Sequence, residues 1–229
     1  MWLPCAAIWT SLCACAFHPG VLQSELDASS PTVDTSLAAD GSTTADAAAG
    51  ALLLRSIADA WLRQQFPTEN HGADADLRSG SGSTTSRANR IVISFDVSGL
   101  PATCQLSAAR LYLYYYAEDF VSISPTLEAH RITAPWIEGT TTWSTWGSPG
   151  GDFDLSIESS VIAMAATFGW LSWDVTTLAG QWRAGTVPNY GVIILENDNT
   201  NYGGRKLFYS AQSSTTPTDL RPYLQIECT

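Results

Sequence analysis

The 229 residues suffice for one generous domain or two small ones. Charged side chains make up only 14% of the chain and the formal charge is −11; that balance lacks the basic footprint that nucleic acid or an anionic membrane surface requires. Five of the 22 acids (Glu25, Asp27, Asp34, Asp40, Asp46) precede residue 50 with no base among them, so the remainder holds 17 acids against 11 bases.

Residues 2–16 carry no charge and are mostly apolar. A bilayer span takes about 20 residues, so this stretch predicts an export signal over residues 1–16. It ends in Leu12-Cys13-Ala14-Cys15, which resembles a bacterial lipobox with Cys15 as the lipid-accepting residue. The expectation is a secreted or cell-surface protein that meets a membrane only through a lipid anchor. Residues 17–50 are rich in Ala, Ser, Thr and Asp and almost free of large apolar side chains. They cannot bury enough surface to offset the entropy of ordering, which predicts a disordered tether.

Residues 51–229 read as one module. From Ala58 short strands alternate with turn chemistry: Ala58–Arg63, Ala75–Ser79, Arg90–Asp96, Ser107–Tyr116, Leu127–Thr133, Trp170–Val175, Tyr190–Glu196, Lys206–Ser210 and Tyr223–Cys228. In the long strand Leu111, Leu113 and Tyr115 alternate with Tyr112, Tyr114 and Tyr116. Only Thr176–Gly185 has helical character: Asp174 or Thr176 caps its start, Leu178 and Trp182 share a face, and Gly185 ends it. The predicted fold class is all-β, an antiparallel jelly-roll-like β-sandwich with one short helix.

Several blocks carry a resemblance. Asp59-Ala-Trp-Leu-Arg, then Pro67-Thr-Glu-Asn70-His-Gly72, then Leu77-Arg78 resembles the opening of the DNRLRE domains, extracellular modules related to the family 96 carbohydrate-binding modules. Asn89 to Pro101 is similar to their strand ending in Phe-Asp and a Leu-Pro turn, and Ser107 to Leu113 to the strand after it. Ala129 to Trp143 is the most specific block; Trp173 to Trp182, Asn189-Tyr190-Gly191, Phe208 to Ser210 and Arg221 to Leu224 follow in the family's order. The resemblance implies a jelly-roll-like sandwich and polysaccharide binding, and speaks for fold with more authority than for function.

No catalytic set stands out. The histidines, His18, His71 and His130, have no zinc spacing, and there is no Gly-x-Ser-x-Gly elbow. Glu138 with Asp152 and Asp154 offers carboxylates for glycoside hydrolysis, but the two aspartates lie in a Gly/Pro loop as turn formers and Glu138 is expected to bond local backbone. A non-enzyme is expected. Asp59, Asn70, Asp96 and Asp198 stand near strand ends where a structural calcium ion would find oxygen ligands, and turn capping accounts for each equally.

Sugar binding needs flat apolar faces and hydroxyl-bonding groups. Trp61, Trp173 and Trp182 lie on elements where burial is expected, and Trp136 is expected in or half within the core. Trp143 and Trp146 lie in a Thr/Ser/Gly loop, as ligand platform or as loop anchor. Tyr112, Tyr114 and Tyr116 form an aromatic ladder if their face is solvent-side, and core if it is covered. Arg131 offers a fork for the carboxylates of an acidic polymer. Cys104 and Cys228 read as a disulfide pair in an exported chain, though spacing alone does not bring them within reach. The expected protein is a monomeric, non-catalytic module that binds a polysaccharide or cell-surface glycan; the alternatives are a structural or protein-binding spacer and, behind it, a polysaccharide-degrading enzyme.

Overall fold

Short runs of β-branched and aromatic residues broken by Gly, Pro and Asp favour strands over helices. The computed structural model, which describes residues 51–82, 87–119, 123–197, 204–214 and 220–229, has this character. In chain order these residues form β1 (Ala51–Arg63), β2 (Asp76–Ser81), β3 (Ala88–Phe95), β4 (Leu106–Glu118), β5 (Thr126–Ile132), β6 (Phe153–Ile162), β7 (Gly169–Asp174), α1 (Thr176–Ala184), β8 (Val192–Glu196), β9 (Lys206–Tyr209) and β10 (Tyr223–Cys228). The export segment, Cys15, the tether and Asp198 lie outside the described residues.

All pairings are antiparallel and fall into two sheets. In the front sheet β4 pairs with β7 along one edge and with β10 and then β9 along the other. Beyond these, the first half of β1 pairs with β10, and β2 with β9. In the back sheet the second half of β1 pairs with β3, followed by β8, β5 and β6. β1 therefore belongs to both sheets, and its register shifts between Ser56 and Ala58, where it passes from one to the other. A bulge of this kind bends and twists a strand enough to turn such a corner. An all-β antiparallel sandwich with one short helix is the architecture observed.

The core lies between the sheets. Leu111, Leu113 and Tyr115 of β4, Leu224 and Ile226 of β10, Ile91 and Ile93 of β3 and Ile194 of β8 are fully buried there. α1 adds Leu178, Ala179 and Trp182 to this cluster. Gly185 ends the helix in the left-handed conformation, φ 67°, as a C-cap glycine does. Asp174 accepts bonds from the Thr176 N–H and hydroxyl at 3.0 and 2.7 Å, fixing the turn into the helix. Cys104 and Cys228 are bridged, with Cα atoms 4.9 Å apart, tying the turn after β3 to the end of β10.

Two elements differ from the expectation. β1 begins at Ala51 rather than Ala58, because its first half is an alternating strand of the front sheet whose pattern breaks at the bulge. β6, ten residues long, occupies a stretch expected as loop at Asp152-Phe-Asp154. Among the described residues it pairs only with β5, through two register shifts, and its serines and exposed apolar residues give no period-2 signal.

Candidate functional site

The two outward faces are treated differently. The back sheet's outer face is apolar, with Ala60, Leu62, Val92, Ile132 and Ile193, and it is covered by residues 133–152. Trp143 and Trp146 are the lid's anchors, 7% and 5% exposed. The Trp146 indole N–H donates to the Pro135 carbonyl at 3.0 Å, and the Arg90 guanidinium sits 4.8 Å above the Trp143 ring while bonding the Gly150 carbonyl. Gly151, at φ +102°, lets the chain close over Trp146: a Cβ there would stand 2.4 Å from the ring. Of the two readings open for these rings, ligand platform or loop anchor, their burial favours the anchor. A lid covering an apolar sheet face must bring apolar side chains of its own, and a ring sealed on both sides has no face for a sugar.

Among the described residues the front sheet's outer face has no such lid. Directly opposed residues of antiparallel strands share a face, and with Leu111, Leu113 and Tyr115 turned inward, Tyr112, Tyr114 and Tyr116 turn outward, each half-buried. Tyr112 is opposite Tyr223 on one side and Ser172 on the other, and Tyr114 is opposite Trp170. Tyr209 lies across from Asp76.

These six rings are in mutual contact. Tyr112 and Tyr223 stack at 4.7 Å between centroids, Tyr209 stacks on Tyr116 at 4.2 Å and on Tyr114 at 5.9 Å. Trp170 stands nearly perpendicular to both stacks, 5.0 Å from Tyr223 and 5.2 Å from Tyr114. It is 37% exposed, whereas Trp61, Trp143, Trp146, Trp173 and Trp182 are all under 10%. The stacked tyrosines cover part of one another's faces; Trp170 is the ring with area to give.

Polar groups frame the rings. Arg55 lies 5.7 Å from the Tyr223 centroid and donates to the Arg221 carbonyl. Arg110 is opposite Gln225 and Asp174 one rung along. The Tyr116 hydroxyl donates to Asp76, and Asp76 also pairs with Arg78 at 3.2 Å. Burial, then the Asp76 bond, pushes the Tyr116 phenol far above its ordinary range, and burial raises Tyr223. Both therefore stay neutral hydroxyls, able to donate and accept.

Of the residues expected to bind a ligand, the structure gathers Tyr112, Tyr114 and Tyr116 on this face. Arg131 is on β5 in the back sheet, tied to Asp154 at 2.7 Å, and Trp143 and Trp146 lie under the lid. Sequence reasoning missed Trp170, Tyr209 and Tyr223. The signal was present: Trp170, Ser172 and Asp174 alternate with Leu171 and Trp173, and Tyr223, Gln225 and Glu227 with Leu224 and Ile226.

The other candidates hold structure together. Glu138 bonds backbone as expected, but not locally: it accepts the Asp59 N–H at 2.9 Å and the Gln212 amide at 2.8 Å. Asp59 is 1% exposed and accepts from the Ser56 hydroxyl and the Ala211 N–H; burial pushes its carboxyl up to about 6. Asn70 bonds the Glu138 and Thr141 carbonyls, Asp96 caps Ser98, and Asp152 caps Ser148. His71 stacks on Trp61 at 3.9 Å, and His130 is buried against the Asp154 and Ser156 carbonyls. Among the described residues no three His, Cys, Asp or Glu side chains converge as a metal site.

A sandwich with one flat face left to aromatic rings and hydrogen-bonding groups is the architecture of a carbohydrate-binding module. The chain belongs to carbohydrate-binding module family 96, whose family model matches residues 51–227. No curated protein matches the chain.

Proposed function

We propose that the protein is a non-catalytic module that binds an extended polysaccharide along the outer face of its front sheet, displayed at the cell surface by a tether anchored at Cys15. The observation that carries the reading is the contact network of six half-open rings centred on Trp170. Pyranose rings present apolar C–H faces that stack on aromatics, and their hydroxyls need the donors and acceptors that Tyr112, Tyr223, Ser172, Arg55 and Gln225 supply. An open face suits the interior of a glycan chain.

A second reading is a protein-binding surface spacer. It draws on β6, whose outer edge is unpaired among the described residues and whose Leu155 and Ile157 are 83% and 54% exposed. A glycan array probed with the full chain, with and without calcium, separates the two. Retention on one polymer class is expected, and Trp170→Ala should abolish it. Absence of retention from a folded sample leaves the spacer reading in place.

A further inference from the structure

A concavity of about 530 Å³ shares no residue with the tyrosine face. Four segments border it: the corner of β1 at Ile57, the end of β3 with its following turn at Asp96, the lid at Trp136, and the end of α1 at Trp182 and Arg183, with Tyr190 beyond. Trp136 and Tyr190 form a braced aromatic wall, since the Trp136 indole N–H donates to the Tyr190 carbonyl at 2.8 Å. Ile57, 66% exposed, supplies an apolar rim.

The lining includes two charged side chains, Asp96 and Arg183. Asp96 is exposed, and its carboxylate, held low by its bonds to Ser98, stays ionised as an acceptor. Arg183 is fixed by a 2.8 Å bond from Nη2 to the Pro101 carbonyl, and it lines the cleft beside Trp182.

We propose that this cleft is a second carbohydrate site, taking one neutral sugar unit at the end of a glycan. An aromatic wall and apolar rim match the C–H face of a sugar, and a carboxylate and an arginine in one cleft match the paired acceptor and donor roles of its hydroxyls. One negative and one positive side chain give no net attraction for a polyanion, and the chain's charge of −11 opposes one. Borders on four sides admit an end where the tyrosine face admits a run.

The indole N–H signals of the full chain report directly, with Trp182→Phe used to assign Trp182. Methyl glucoside, methyl galactoside and methyl mannoside are titrated in turn, with glucuronate as the anionic control. At least one neutral glycoside should move the Trp136 and Trp182 signals saturably, glucuronate far less. Asp96→Asn, a change at an exposed position that leaves the fold intact, should weaken that response about tenfold. Signals unmoved by all three glycosides up to tens of millimolar, or moved equally by glucuronate, would overturn the site. Movement of Trp170 alone would support the tyrosine face and overturn this cleft.

Discussion

Trp170 and Trp143 are the same side chain in opposite settings, and the contrast predicts opposite phenotypes. Trp143 is enclosed by the lid and Arg90, so Trp143→Ala should cost about 3–5 kcal/mol of stability and leave the affinity of the folded fraction unchanged. Trp170→Ala removes a ring already 37% exposed and should change the melting temperature little. It should weaken glycan binding by tenfold or more, about 1.4 kcal/mol. Asp59 makes a third prediction. Burial raises its carboxyl from 3.8 to about 6, so the folded state holds the proton more tightly than the unfolded chain. Stability from this group is therefore gained as pH falls from about 6 to 4, on the order of 2–3 kcal/mol. Asp59→Asn keeps an acceptor for Ser56 and Ala211 but should flatten that slope in melting curves between pH 4.5 and 7.5. Parallel slopes for the two proteins would contradict it.

At the scale of elements, the back sheet is legible as a sheet covered on both sides. Ile91-Val92-Ile93 and Val192-Ile193-Ile194-Leu195 are continuous apolar runs, the mark of a strand with no solvent face. β4, β7 and β10 alternate instead, placing rings and polar groups on one face and core on the other. The tyrosines of β4 were readable as a ladder, but their exposure was not, because a strand's own sequence does not say whether a loop will cover it. The lid answers that for the back sheet through Gly150 and Gly151, at φ +89° and +102°. Gly151→Ala combines a disfavoured backbone with a ring at 2.4 Å, and should cost about 2–4 kcal/mol in denaturant unfolding. β6 escaped sequence reading because its bulges break the period-2 pattern, and the first half of β1 because its outer side carries Leu53 and Arg55 rather than a clear polar set.

For the molecule as a whole, the fold was the most legible level: many short strands, one helix, and blocks in a family's order suffice for a sandwich. The pairing of sheets was not, since the crossing of β1 depends on one bulge. The Cys104–Cys228 bridge fastens two segments 124 residues apart in sequence, and removing it as Cys104→Ser with Cys228→Ser should lower stability by about 2–5 kcal/mol, measured by thermal melting with the disulfide intact as reference. The measurement that bears most directly on the central claim is affinity electrophoresis of the full chain, Trp170→Ala and Arg131→Gln through gels of neutral and uronate-rich polysaccharides. The account predicts retardation of the native protein and of Arg131→Gln on the same polymer, and free migration of a folded Trp170→Ala. Equal retardation of all three, or retardation of none, would contradict it.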